Sequence, residues 1–345
     1  MQVPADQMLE AMPLPALIIR RDERIGAANA PARALLGREI VDRHFITALR
    51  QPDLLDAIEG CLRDGTARRT DFLSLNARQE MTYRVLVVPL QLASGTGVVV
   101  SFEDVSHLEQ TVQMRRDFVA NVSHELRTPL TALIGFIETI KGPARNDPAG
   151  QARFLDIMEG EAQRMVRLVA DLLSLSRVEA EERVRPSDPV DLGDLVRATL
   201  HGLTTIASDA GVTLVQELPD EPVRVPGDPD QLRQVLTNLV ENGIKYAGGD
   251  ASVTVRLSAP DYEPRLRGRG VRLVVADTGQ GIDAIHLPRL TERFYRVDSH
   301  RSRQQGGTGL GLAIVKHIVN RHRGRLRVDS TRGEGTTVTI LLPLE

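Results

Sequence analysis

The stretch FVANVSHELRTPLTALIGF, residues 118–136, sets a histidine, a glutamate, a threonine and a proline inside a run with helical apolar spacing. Val112, Val119, Leu126, Leu133 and Ile140 recur every seven residues, with Leu108, Val122 and Phe136 on the offset track. Such a seam belongs to a helix that packs on other helices along one side. With Val119 and Leu126 at a positions and Val122 at d, His124 takes an f position and is expected to point into solvent. Thr128 lies one turn further along the same face, and Glu125 stands beside the histidine. A histidine in a helix is ordinarily a satisfied polar residue. Beside a carboxylate that accepts one ring proton, the other ring nitrogen keeps its lone pair and becomes a nucleophile. Pro129 removes a backbone N–H and frees the carbonyl of residue 125, which costs a helix interior about 3 kcal/mol; a bend just beyond His124 is expected.

Outward from this stretch, the seam ends at Lys141-Gly142-Pro143, and a second helix opens with Asp147 as cap and Pro148 at its first position. Its seam is Phe154, Met158, Met165, Leu168, Leu172 and Leu175. Two such helices form an antiparallel hairpin, which buries too little alone, so dimerisation into a four-helix bundle is expected. The polar, proline-bearing EAEERVRPSDPV, residues 179–190, reads as a linker. Before the hairpin, ALIIRRDERIGAANA reads as two short strands about a charged turn, residues 31–65 as helical, and TYRVLVVPLQL and GTGVVVSFEDV as strands joined by a Ser-Gly-Thr-Gly turn. This is a small α+β domain without legible chemistry. His44 and Cys61 within it read as ordinary structural residues.

Composition bounds the function. A chain of 345 residues accommodates two or three domains. A net charge of −3 gives no basic footprint and argues against nucleic acid as a partner. One cysteine excludes an internal disulfide framework and suits a reducing compartment. With no run of about eighteen apolar residues and no signal-peptide pattern, the protein is expected to be cytoplasmic, with membrane association through a partner left open.

Three C-terminal segments carry candidate ligand chemistry. In DPDQLRQVLTNLVENGIKYA, Asp228 caps a helix whose Leu232, Val235, Leu236 and Leu239 share one face. Asn238, Glu241, Asn242 and Lys245 share the opposite face, a set able to hold a hydrated Mg²⁺ and phosphate oxygens, or simply a solvated face. VRLVVADTGQGI runs from a strand into Asp277-Thr-Gly279-Gln-Gly281, where a carboxylate can accept from an exocyclic amine and glycines permit close approach of a flat ring. QGGTGLGLAIVKHIVNRHRG is a glycine loop feeding a helix N-terminus, a phosphate-binding arrangement that is neither a P-loop nor a dinucleotide fingerprint. A third glycine turn, Gly333-Glu-Gly335-Thr336, reads as structural.

In this order, HELRTPL, NLVENGIKY, DTGQG, ERFYRVD and GGTGLGLAI resemble the sensor histidine kinases of two-component systems, the phosphate-regulon sensors in particular. The likeness covers residues 106–345, and residues 8–105 resemble a PAS sensor domain more weakly. The implied fold is multidomain α+β: a PAS-like domain over 1–105, a dimerising phosphotransfer hairpin over 106–180, and an α/β-sandwich ATP-binding domain of the Bergerat type over 188–345. The resemblance implies that His124 accepts phosphate, that Glu125 is the adjacent acid–base group, and that Thr128 positions water for dephosphorylation of the partner. Asn242 would ligate Mg²⁺ with Asn238 beside it, Lys245 would meet phosphate, Tyr246 would pack near the nucleotide, and Asp277 would read the adenine amine. Gly279 and Gly281 would shape the adenine pocket. Gly307, Thr308, Gly309, Leu310 and Gly311 would form the mobile loop over the phosphates, and Arg296 would stabilise the transferring group. Gly243 departs from the alanine common at that position; it weakens the helix by up to ~1 kcal/mol and is expected to loosen the metal site.

The resulting expectation is a homodimeric kinase that uses ATP and Mg²⁺ to phosphorylate His124 and passes the phosphoryl group to an aspartate of a response regulator in trans, in phosphate-starvation signalling. Two alternatives stay open: an enzyme acting mainly as a phosphatase of its regulator, and an ATP-binding scaffold with an idle histidine. Mismatch-repair, chaperone and gyrase ATPases share the ATP-binding fold but lack the HELRTPL helix.

Overall fold

The computed structural model describes residues 5–76, 79–92, 95–182, 184–297 and 307–344. Ser94 of the expected turn, Arg183 of the expected linker, Asp298, and Gln305 and Gly306 lie outside the described residues. The chain divides into two compact units, Met1–Ala120 and Asn121–Glu345. The division falls within the helix Ser106–Lys141, so residues 121–181 of the hairpin and the C-terminal sandwich share one unit.

The first unit begins with α1 (Ala5–Glu10), β1 (Ala16–Ile19) and β2 (Ile25–Ala28). The helical middle is three pieces, α2 (Ala30–Leu36), α3 (Phe45–Ala48) and α4 (Pro52–Asp64), followed by β3 (Arg68–Asn76), β4 (Gln79–Leu92) and β5 (Gly95–Asp104). The strands form an antiparallel sheet in the order β2-β1-β5-β4-β3. Strand β3 is absent from the sequence expectation, because RRTDFLSLN holds charges on three of its first four positions and alternates only weakly. The core joins Leu17, Ile19 and Val100 of the sheet to Phe45, Leu54 and Ile58 of the helices. Buried Asn29 organises the entry: its Oδ1 accepts from the amides of Ala16 and Ala32 at 3.0 and 2.9 Å, and its Nδ2 donates to the carbonyl of Leu14 at 2.7 Å. His44 caps α3 and meets Glu23 at 3.0 Å, and Cys61 is buried, which pushes its thiol up.

Helix α5 (Ser106–Lys141) runs unbroken through Pro129, which is buried. Helix α6 (Pro148–Glu181) starts as its sequence dictates, with Asp147 Oδ1 accepting from the Gly150 amide at 3.0 Å. Phe136 stacks on Phe154 at 5.6 Å, and Glu125 meets Arg164 further back, so the helices are antiparallel. The expected linker is partly helix: α6 continues to Glu181, and β6 (Pro189–Asp191) begins before the segment ends. Glu179, Glu181 and Glu182 of the expected linker meet Arg293, Arg321 and His317 at 2.6, 2.9 and 3.0 Å.

The rest of the unit contains α7 (Leu192–Asp209), β7 (Thr213–Glu217), β8 (Arg224–Pro226), α8 (Pro229–Ala247), β9 (Ser252–Leu257), β10 (Asp261–Glu263), β11 (Gly268–Asp277), α9 (Gly311–Arg321), β12 (Arg325–Thr331) and β13 (Gly335–Pro343). The main sheet runs β12-β13-β11-β9-β7, with β7 parallel to β9 and the other pairs antiparallel. The apolar faces of α7, α8 and α9 cover it, giving the two-layer α/β arrangement expected. His322 ties two helices together: its Nδ1 lies 2.8 Å from the Ile318 carbonyl and its Nε2 accepts from the Asp228 amide at 3.0 Å. Burial lowers its pKa and keeps the ring neutral. No helix among the described residues is long and apolar enough to cross a membrane.

Candidate functional site

Helix α8 presents the polar face read from its sequence. Asp228 Oδ1 accepts from the amides of Asp230 and Gln231, so the helix starts in a fixed register. Leu232, Val235, Leu236 and Leu239 are buried, which turns Asn238, Asn242 and Lys245 outward, each half-buried. Asn238 Nδ2 donates to the carbonyl of Gly311 at 3.3 Å, joining this face to the start of α9. Lys245 lies over the Tyr246 ring at 5.2 Å. Burial, with Arg296 and Arg167 nearby, lowers its pKa to about 8. A half-buried amine near three arginines, with Glu241 the carboxylate beside it, is an electrostatic setting that suits phosphate oxygens.

Gly243 turns out to be a packing device. A Cβ there would lie 2.9 Å from Cγ2 and 3.1 Å from Cγ1 of Val253 on β9. The glycine lets α8 sit close on the sheet.

Asp277 ends β11. Its Oδ1 accepts from the amides of Gly279 at 2.9 Å and Thr336 at 3.3 Å, which fixes the carboxyl, while burial raises its pKa. The glycines around it answer first to the chain itself. A Cβ at Gly279 would lie 2.6 Å from Ala247 Cα, and one at Gly281, where φ is +65°, would collide with the Thr331 carbonyl. Gly335, read as merely structural, has φ +112° and no room for a Cβ against the Asp277 carbonyl. Its turn brings the Thr336 amide onto Asp277, a role no pattern in GEGTT disclosed.

Toward the hairpin, Gly309 at φ +73° packs on Phe294, whose amide donates to the Gly309 carbonyl at 2.9 Å. Gly307 is half-buried, Leu310 is fully buried, and Gly311 opens α9. Thr308 is buried, and its Oγ1 donates to Asp171 Oδ2 on α6 at 2.6 Å; burial raises the Asp171 pKa. Arg296 reaches the first helix of the hairpin, its Nη2 3.2 Å from Glu125 Oε2. The same oxygen accepts from Arg164 Nη2 at 2.8 Å. Burial lowers the Arg296 pKa, and among the described residues its buried Nε has no hydrogen-bond partner.

His124 is exposed, and Thr128 is exposed one turn on, its Oγ1 donating to the His124 carbonyl at 3.1 Å. Glu125 is half-buried and engages the two arginines rather than the neighbouring imidazole. Consecutive helix positions do not face each other, which is why the carboxylate and the ring diverge. Sequence reading missed Arg164 and Asp171. Their signal was present: Arg164, Leu168, Asp171, Leu175 and Val178 repeat by fours and threes, so both charges fall on the buried track of α6.

The residues expected to serve ATP and Mg²⁺ fit them by the chemistry of the donor set. Asn238 and Asn242 offer amides on one face, and the under-neutralised Lys245 and Arg296 offer cations. Among the described residues no group of three or more His, Cys, Asp or Glu is placed to hold a metal. A magnesium ion carried by phosphates needs only one or two protein ligands.

Comparison with known proteins agrees with this arrangement. Residues 114–181 match the His Kinase A (phospho-acceptor) domain, and residues 227–345 match the histidine kinase-, DNA gyrase B- and HSP90-like ATPase family. The chain is 34% identical over 331 residues to the sensor protein kinase WalK of Staphylococcus aureus, covering 94% of this chain and 77% of that protein. The WalK of Staphylococcus saprophyticus is 34% identical over 332 residues, covering 94% of this chain and 52% of its own length. The chain thus spans about half the length of most of these curated relatives. In fold it is similar to histidine kinase ThkA, solved in complex with response regulator protein TrrA: the TM-score is 0.54 at 22% identity, over 99% of this chain and 98% of that one.

Proposed function

We propose, since the chain belongs to the histidine kinase family, that it transfers the γ-phosphoryl group of ATP to His124 and from there to an aspartate of a response regulator in trans. One observation carries this reading: Arg296, from the ATP-binding region, meets Glu125, the neighbour of the exposed His124. In the transfer, a ring nitrogen of His124 forms a bond to phosphorus as the bond to the bridging oxygen breaks, and ADP leaves. Lys245 and Arg296 would offset charge on the phosphates, Asp277 would accept from the adenine amine, and Asn242, with Asn238 beside it, would hold the metal. Mg²⁺, when bound, neutralises phosphate charge. Glu125 is the adjacent acid–base group, and its carboxylate is held by two arginines.

Further roles extend this proposal. Val112, Val119, Leu130, Ile134 and Ile137 of α5 and Val166, Val169 and Leu173 of α6 are exposed, and a second copy of the hairpin would cover such stripes in a four-helix bundle. The five-stranded antiparallel sheet with helices suits a PAS-type sensor over residues 1–105. The ThkA–TrrA complex supports a separate regulator as acceptor here. The exposed Thr128 suits a role in positioning water for dephosphorylation. Phosphate-starvation signalling rests on motif resemblance alone; the relatives matching 94% of the chain carry the name WalK.

The test is incubation with Mg²⁺ and γ-labelled ATP beside a His124→Gln variant. Label that is acid-labile, alkali-stable and absent from the variant is expected. Label on the variant, or none on either with ATP still bound, overturns the assignment. Thr128→Ala is expected to lose dephosphorylation of the regulator and to keep labelling.

A further inference from the structure

Arg164 has no part in the chemistry above, yet it is among the most deeply buried charged groups of the hairpin, its side chain 10% exposed. It reaches from α6 to α5 across 39 positions of chain to put Nη2 2.8 Å from Glu125 Oε2, and its Nη1 lies 3.6 Å from Glu161 Oε2. An apolar pair would join two helices at least as firmly, because burying a guanidinium and a carboxylate costs desolvation that their attraction only partly returns. A bare helix tie therefore leaves the choice of residue unexplained.

The second guanidinium on that same oxygen supplies the explanation. Arg296 Nη2 stands 3.2 Å from Glu125 Oε2, with its side chain 8% exposed. One carboxylate oxygen thus joins an arginine of the hairpin to an arginine of the ATP-binding region, one residue from His124. We propose that Arg164 is a positioning residue for phosphorylation of His124: it holds Glu125 as a fixed receptor, and Glu125 seats Arg296 on the helix that carries the acceptor. This rests on the kinase reading above. Glu125 engages Nη2 of Arg296, which fixes the plane of the guanidinium. Without Arg164, Glu125 is free to follow Arg296 and the receptor loses its place. A shared carboxylate also orders the parts in space: Arg164 belongs to the hairpin in every state, whereas Arg296 meets it only when the ATP-binding region is docked.

The experiment is the rate of His124 labelling as a function of ATP concentration in the full chain, for the unaltered protein, Arg164→Met, Arg164→Lys, Glu125→Gln and the Arg164→Met/Glu125→Gln double variant. Methionine keeps much of the buried volume and removes the charge. Arg164→Met is expected to lower kcat about tenfold with KM for ATP unchanged, Arg164→Lys to recover part of it, and the double variant to label no more slowly than Glu125→Gln alone. Melting temperatures of all forms accompany the rates. A purely structural tie would appear as labelling losses that track the melting temperature across all variants, Arg164→Lys included, and overturns the proposal. Unchanged kcat in Arg164→Met overturns it as well. If the unaltered protein does not label, the kinase reading fails and takes this proposal with it; labelling of the unaltered protein separates the two failures.

Discussion

Arg296 and Glu125 meet at 3.2 Å across 171 positions of sequence, and the contact sets an arginine expected at a phosphoryl group against the residue next to the acceptor. A planar guanidinium can hold a carboxylate with one nitrogen while aiming others elsewhere, and an ammonium cannot. Arg296→Lys is therefore expected to lower His124 labelling about tenfold or more while leaving nucleotide affinity within about twofold. Titration calorimetry with a non-hydrolysable nucleotide, beside the labelling rate, checks both numbers. Full activity with lysine would mean that only charge matters there.

Thr308 fastens the glycine loop to the hairpin through Asp171 at 2.6 Å. Thr308→Val removes the donor and leaves a buried carboxylate short of a partner, a loss of about 1–3 kcal/mol. Hydrogen exchange at residues 307–311 is expected to accelerate by about tenfold or more. Burial raises the Asp171 pKa in the folded state, so its contribution to stability is complete below the unfolded value and is lost as pH rises through the folded one. The stability of the fold should accordingly fall as pH rises through that titration, and Asp171→Asn should flatten the dependence.

Lys245 titrates in a nucleotide-free site at about 8, lowered first by burial and then by Arg296 and Arg167. Phosphate oxygens favour the charged ammonium and draw the value back up, so ATP binding takes up a proton near pH 8.5 and almost none at pH 6.5. Calorimetry in buffers of different ionisation enthalpy measures this directly, and Lys245→Met should abolish it. For stability the sign is opposite to that of Asp171. A depressed amine leaves the unfolded chain with more bound protons between about 8 and the ordinary lysine value, so stability without nucleotide rises with pH there.

Gly243→Ala offers a helix-propensity gain of up to about 1 kcal/mol, set against a Cβ 2.9 Å from Val253 Cγ2. Overpacking of this kind costs about 1–3 kcal/mol. The variant is expected to be less stable, and Gly243→Ala/Val253→Ala to recover part of the loss. A denaturation midpoint for Gly243→Ala at or above that of the unaltered chain would show that the sheet yields.

Much of this molecule was legible in one dimension. Asp147 with Pro148 and Asp228 with Pro229 announced two helix starts, because a cap and a following proline act within one turn. The apolar faces of α8 and α9 followed from local spacing, as did the strands flanking Asp277. The motif string HELRTPL to GGTGLGLAI identified the family because each segment holds its ligand-bearing residues within a few positions. Strand β3 escaped, since its charges mask the alternation that would mark it.

What the sequence by itself determined is the set of local elements and the family, through spacings of three, four and seven residues that one helix turn or one heptad enforces. Only the tertiary structure decided what the charges do. Glu125 could be placed beside His124 from its position alone, yet the helix turns it toward Arg164 and Arg296, 39 and 171 positions away. The EAEERV segment reads as a polar linker, but the fold brings Glu179, Glu181 and Glu182 to Arg293, Arg321 and His317. Gly335 reads as a turn and proves to orient the Thr336 amide onto Asp277. Local propensity acts over a few bonds, whereas an ion pair or a steric exclusion between distant segments exists only once the chain has brought them within a few ångströms.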